Sequence, residues 1–135
     1  MKNSGSMVVL IDDDASVRRS LSRLFRSAGV ELRAFASAEE FLAGPALSLA
    51  GCLIVDVQMP GMRGLELQAR CAAQRPALPV ILITAFQDAE AERQAMAAGA
   101  VGFLYKPFDG EMLLQLVKRA LPGAPPVTNS GAQFA

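Results

Sequence analysis

Five short apolar runs recur along the chain: "MVVLI" (7–11), "VELRAF" (30–35), "CLIVDV" (52–57), "PVILIT" (79–84) and "GFLYK" (102–106). Four of them are nearly unbroken in apolarity, which is how a strand reads when both of its faces are covered. Between the runs lie segments with helical spacing. In the first, Val17, Leu21, Leu24, Phe25 and Ala28 recur at helical intervals, with Arg18, Arg19, Ser22, Arg23 and Arg26 mostly on other faces and Gly29 as a stop. The second, about 37–43, opens on the capping-box pattern of Ser37 and Glu40 and ends at Gly44 and Pro45. Further helices are expected at about 65–74, 88–98 and 109–121. Five rounds of strand and helix predict an α/β domain on a parallel sheet with right-handed crossovers.

At 135 residues the chain is about one domain long and can bury a core without staples. Thirteen basic residues balance thirteen acidic ones, so no global field draws the chain onto nucleic acid or an anionic membrane. Cys52 and Cys71 show no metal or redox spacing and read as structural thiols in a reduced, cytoplasmic setting. No run approaches the ~20 apolar residues of a membrane helix. The absence of histidine removes Ser/His and Cys/His catalysis, leaving Asp, Thr and Lys to carry any chemistry. Residues 1–6 read as a flexible lead, 7–121 as the folded domain, and 122–135, with three prolines, as a linker or disordered tail.

Open parallel sheets bind ligands at the carboxyl ends of their strands, where strand order reverses. The residues ending the strands here are Asp12 and Asp13, Asp56, Thr84 and Ala85, and Lys106. Three carboxylates, a hydroxyl and an ammonium at one edge form a coherent set. A hard cation such as Mg²⁺ needs only one or two carboxylates plus a carbonyl, and Asp13, Asp56 and a main-chain carbonyl just beyond Asp56 supply these. A phosphoryl group arriving at Asp56 needs its charge neutralised, a task suited to the cation, Lys106 and Thr84, and Ala85 leaves room for it. Asp14 sits one residue before the first helix, where an aspartate caps backbone amides.

The blocks "LIDDDASVRRSL", "LIVDVQMPGMRGLEL", "VILITAF" and "AVGFLYKPF" resemble the receiver domain of two-component response regulators, and more narrowly its FixJ-like branch, over residues 7–121. The resemblance implies a flavodoxin-like receiver fold: one doubly wound five-stranded sheet of order 2-1-3-4-5 with five helices. It implies that Asp56 accepts a phosphoryl group from a histidine kinase, with Mg²⁺ held by Asp12, Asp13, Asp56 and the Gln58 carbonyl. Asp13 maps to the more direct ligand, and Asp12 acts partly through water. Thr84 maps to the switch threonine, Lys106 to the site lysine with a cis bond to Pro107, and Phe103 to the aromatic rotamer switch. Output is expected through the surface of the fourth helix, fifth strand and fifth helix, toward a DNA-binding output domain or a homodimer partner. Gln58 and Phe86 flank the expected path of the hydrolytic water, and a bulky Phe86 predicts slow self-dephosphorylation.

Other readings are weaker. The aspartate triplet lacks the spacing, central glycine and terminal glutamate of an EF-hand, and neither nucleotide fingerprint occurs. A haloacid-dehalogenase-type phosphatase would pair Asp12 with Asp14, but it expects a late acidic pair, and only the separated Asp109 and Glu111 follow Lys106. A receiver-like interaction domain that takes no phosphate is at odds with the intact acidic set. Arg18, Arg19, Arg23 and Arg26 read as a solvated or partner-binding face rather than a nucleic-acid patch, and Tyr105 as a neighbour of Phe103 on one strand face. No helix-turn-helix follows residue 121, so the expectation is a receiver either cut from a longer regulator or standing alone.

Overall fold

Alternation along the buried strands builds two separate cores. A computed structural model describes residues 7–121. The expected lead and tail lie outside them. The strands β1 (Met7–Ile11), β2 (Leu32–Phe35), β3 (Ala50–Asp56), β4 (Val80–Thr84) and β5 (Gly102–Tyr105) pair in parallel in the order β2-β1-β3-β4-β5. The helices are α1 (Ala15–Ser27), α2 (Ala38–Leu42), α3 (Ala46–Leu49), α4 (Gly64–Gln74), α5 (Ala89–Ala97) and α6 (Gly110–Ala120). Val8, Leu10, Cys52, Ile54, Ile81 and Ile83 point to one side, where Leu21 and Phe25 of α1 meet Leu113, Leu114 and Val117 of α6. Val9, Ile11, Leu53, Val55, Val80 and Leu82 point to the other, against Phe41 of α2, Leu67 of α4 and Ala91 and Ala95 of α5. Every residue of β1, β3 and β4 is buried, as their continuous apolarity requires.

Two expectations are corrected. Six helices form rather than five. The extra one, α3, is a single turn after Pro45, too short for periodicity to register. It is held at its end by Arg75, whose Nη1 donates to the carbonyls of Leu47 (2.8 Å) and Ala50 (2.6 Å). The second strand starts at Leu32 rather than Val30, because the Val30 amide is spent on closing α1 through Phe25 O at 2.9 Å. The helix starts agree with their expected caps: Asp14 and Ser37 cap α1 and α2 by side-chain acceptance. Glu40 completes the box one residue early, accepting from Ala36 N–H at 2.8 Å.

Leu53, at 0 % exposure in the central strand, tests this packing. Leu53→Ala is expected to destabilise the domain by about 2–5 kcal/mol, read as a lowered urea midpoint at unchanged slope.

Candidate functional site

Register alone makes two carboxylates neighbours. β1 pairs with β3 through Ile11↔Val55, so Asp12 and Asp56 follow side by side at the strand ends. The sheet reverses direction between these two strands, since β2 lies beyond β1 and β4 beyond β3. That is where open α/β sheets form their crevice. Asp12 is fully buried, Asp56 is 5 % exposed and Asp13 is exposed. One oxygen from each of the three lies within 4.8 Å of the others.

The ammonium of Lys106, just beyond β5, answers this charge. Its Nζ stands 2.8 Å from Asp12 Oδ2 and 3.2 Å from Asp56 Oδ2. Only the Asp56 contact has hydrogen-bond angles, so Asp12 Oδ2 is buried with an ion pair but no hydrogen bond. The remaining oxygens are tied locally: Asp12 Oδ1 accepts from Asp14 N–H at 2.9 Å and Asp56 Oδ1 from Gln58 N–H at 3.1 Å. Burial pushes the Asp56 carboxyl up to about 6, the Asp12 carboxylate adds to the rise, and the Gln58 amide and Lys106 pull against it. Burial disfavours the Lys106 charge, but the two carboxylates outweigh it and raise its pKa. One ammonium therefore leaves the cluster short of positive charge. An all-oxygen set of three carboxylates answered by one ammonium fits a hard divalent cation.

Thr84 is buried at the end of β4, its Oγ1 accepting from Phe86 N–H at 3.2 Å. Alternation puts it on the face of Leu82 and Phe103, away from Asp56 and Lys106. Phe103 is half-buried, with its ring edge-on to Tyr105 at 5.4 Å. Tyr105 in turn donates to Glu92 Oε1 of α5 at 2.7 Å. The Lys106–Pro107 bond is cis, as the resemblance implied. After Asp56 a seven-residue loop, 57–63, brings the chain back to start α4 against the end of β3. A Cβ on Gly64 would lie 2.4 Å from Asp56 O, so only glycine lets the helix begin against the strand it has just left.

Other members of the expected set stand apart. Asp14 accepts from both the N–H and the Oγ of Ser16 and serves α1. Phe86 is 61 % exposed. Arg18 is corrected from a face residue to a brace, since its Nη1 donates to Asp12 O at 2.8 Å; Arg19, Arg23 and Arg26 are exposed. Both cysteines are buried free thiols, pushed by burial up to about 12 (Cys52) and about 11 (Cys71). Besides the Arg75 bonds, three further ties escaped the sequence: Glu39 to the Met62 amide, Glu92 to Tyr105, and the buried Gln68 Nε2 to Ala95 O at 3.0 Å. Each joins residues 13 to 27 positions apart with no local spacing to announce it.

A doubly wound sheet of this order with carboxylates and a lysine at its switch point is the architecture of a receiver. The chain belongs to the response regulator receiver domain family, which it matches over residues 8–118. It is 43% identical over 115 residues to nodulation protein W of Bradyrhizobium diazoefficiens, covering 85% of this chain and 51% of that protein. It is 41% identical over 126 residues to the transcriptional regulatory protein FixJ of the same organism, covering 93% and 61%. The crystal structure of FixJ-N superposes with a TM-score of 0.76 at 34% identity, over 89% of this chain and 94% of that one. The chain thus spans between half and two thirds of the length of these two regulators. As a receiver of the two-component class it is a signalling domain, not a typical enzyme. No helix among the described residues is long and apolar enough to cross a membrane.

A carboxyl whose pKa is raised by folding holds its proton more tightly in the folded state. The metal-free protein is therefore expected to lose stability as pH rises from about 4, the unfolded value, to about 6. Asp56→Asn should lack this share of the loss and, in EDTA at pH 7, exceed the parent by on the order of 1–2 kcal/mol in urea unfolding. Equal stabilities at pH 7 would contradict the electrostatic account.

Proposed function

We propose that the chain is a phosphorylation-controlled switch in which Asp56 takes a phosphoryl group from a histidine kinase. The observation that carries the reading is the convergence of Asp12, Asp13 and Asp56 with Lys106 at the switch point, with Asp56 seated between the ammonium and the Gln58 amide. Asp12, Asp13, Asp56 and the main-chain carbonyl of Gln58 would hold Mg²⁺. The bound cation supplies neutralisation of phosphoryl oxygens and of the carboxylate crowding.

An Asp56 oxygen forms the new P–O bond while the P–N bond to the donor imidazole breaks, its electron pair leaving on nitrogen. Lys106, already 3.2 Å from Asp56, is placed to pair with a phosphoryl oxygen. The product adds about −1.5 to −2 of charge. Thr84 then turns its hydroxyl from the Phe86 amide toward the phosphoryl group, and Phe103 moves inward on the same strand face. The change is read at the surface of α5, β5 and α6, the elements expected at about 88–98, 102–106 and 109–121. An output domain or a second copy binds there, and the names of FixJ and its kin favour transcription regulation. The phosphatase reading fails at Asp14, whose carboxylate is spent on capping α1.

Intact mass after incubation with Mg²⁺ and acetyl phosphate tests the proposal. The parent is expected to gain one phosphoryl group and Asp56→Asn none; an unmodified parent would favour an interaction domain that takes no phosphate. Phe86 at the rim slows hydrolysis, so Phe86→Ala is expected to shorten the phosphoryl lifetime several-fold. A parent half-life of seconds would overturn that role.

A further inference from the structure

The loop between β3 and α4 carries Gln58, and both of its feet are tied to the end of β3. Gln58 N–H donates to Asp56 Oδ1, and Gly64 N–H donates to Val57 O at 3.1 Å. Its tip is held from elsewhere. Met62 N–H donates to Oε2 of Glu39, on α2, at 2.9 Å. The approach is close enough that a Cβ on Gly61 would lie 2.7 Å from the same oxygen, and Gly61 has φ +77°, which suits glycine alone. Glu39 acts from a fixed platform. Its neighbour Glu40 is engaged with Ala36 and Ser37 at the helix start, and Phe41 is fully buried in the core.

We propose that Glu39 is a positioning residue for the cation site: by holding the Met62 amide it fixes the loop on which Gln58 offers its main-chain carbonyl. The inference rests on the Mg²⁺ reading above and assigns Glu39 no contact with the cation or the phosphoryl group. An unheld loop would sample conformations in which that carbonyl is misplaced, and the binding-competent fraction would scale the apparent affinity. Loss of one hydrogen bond at an exposed site sets the size of the effect at about three- to tenfold.

Calorimetric titration of the full chain with MgCl₂, together with the Mg²⁺ dependence of phosphorylation by acetyl phosphate, tests it in the parent, Glu39→Ala and Glu39→Gln. Glu39→Ala is expected to weaken Mg²⁺ about three- to tenfold in both measurements, with the rate at saturating Mg²⁺ within about twofold of the parent. Glu39→Gln keeps an acceptor oxygen for Met62 and is expected to match the parent. Equal Mg²⁺ affinity in the parent and Glu39→Ala would overturn the proposal. So would a Glu39→Gln as weak as Glu39→Ala, which would mean that charge rather than the tether matters. A Glu39→Ala that loses its saturating rate along with its metal-free melting temperature would show a merely structural role and overturn it too. A parent that binds no Mg²⁺ removes the metal reading itself, a result distinct from all of these.

Discussion

The structure is organised around two carboxylates that the sheet forces together and one ammonium that cannot fully neutralise them. Parallel pairing of β1 with β3 leaves Asp12 and Asp56 no alternative to adjacency, and burial removes the water that would screen them. Lys106 comes from beyond β5, which borders β4 and neither acidic strand. Its stem therefore crosses the end of β4, where Thr84 is followed by the small Ala85, and both Ala85 and Lys106 line the groove of about 540 Å³ shared with α1. The ammonium makes the cluster foldable, and the charge it leaves uncancelled makes the cluster receptive to a further cation.

The pleat divides the labour at this edge. Asp12, Asp56 and Lys106 share parity with the α1 and α6 side, whereas Thr84, Phe103 and Tyr105 share parity with the side of α2 to α5. An event at Asp56 can reach α5 through the end of β4 to β5, and also through α4, whose Gln68 donates to Ala95 O of α5. The intervening strand is suited to yield: all four residues of β5 are half-buried, while β1, β3 and β4 are buried throughout. Tyr105 links it to α5 by a hydrogen bond to Glu92. Motion in signalling domains draws on such less-packed segments, and here the half-buried edge strand β5 carries the aromatic pair.

How far the sequence could be read follows from the range of each interaction. Strands sealed on both faces announce themselves as apolar runs, and the residues ending them name the site without any knowledge of distance. Caps such as Asp14 and Ser37 act within three residues and were equally legible. α3 was not, because one turn has no period, and the start of β2 was lost to a backbone bond from Val30 that no side chain encodes. Arg18 shows the other limit. Its place on α1 suggested a solvent face, but an arginine is long enough to reach back to Asp12 O and brace the acidic loop.

The block "MPGMRG" illustrates how a recognisable string can be a record of close approaches. Gly64 is needed because the helix starts against the backbone of Asp56 and Val57, which keeps α4 close against the strand that ends in Asp56. Gly61 is needed for a different reason, the passage of the loop tip over the Glu39 carboxylate. Between them stands Met62, whose amide is the one that carboxylate receives. Each glycine removes a side chain where two backbone segments, or a backbone and a carboxylate, must meet. The loop is therefore braced beside Asp56 at its feet and from α2 at its tip, so a helix that supplies no side chain to the acidic cluster holds the segment that follows Asp56.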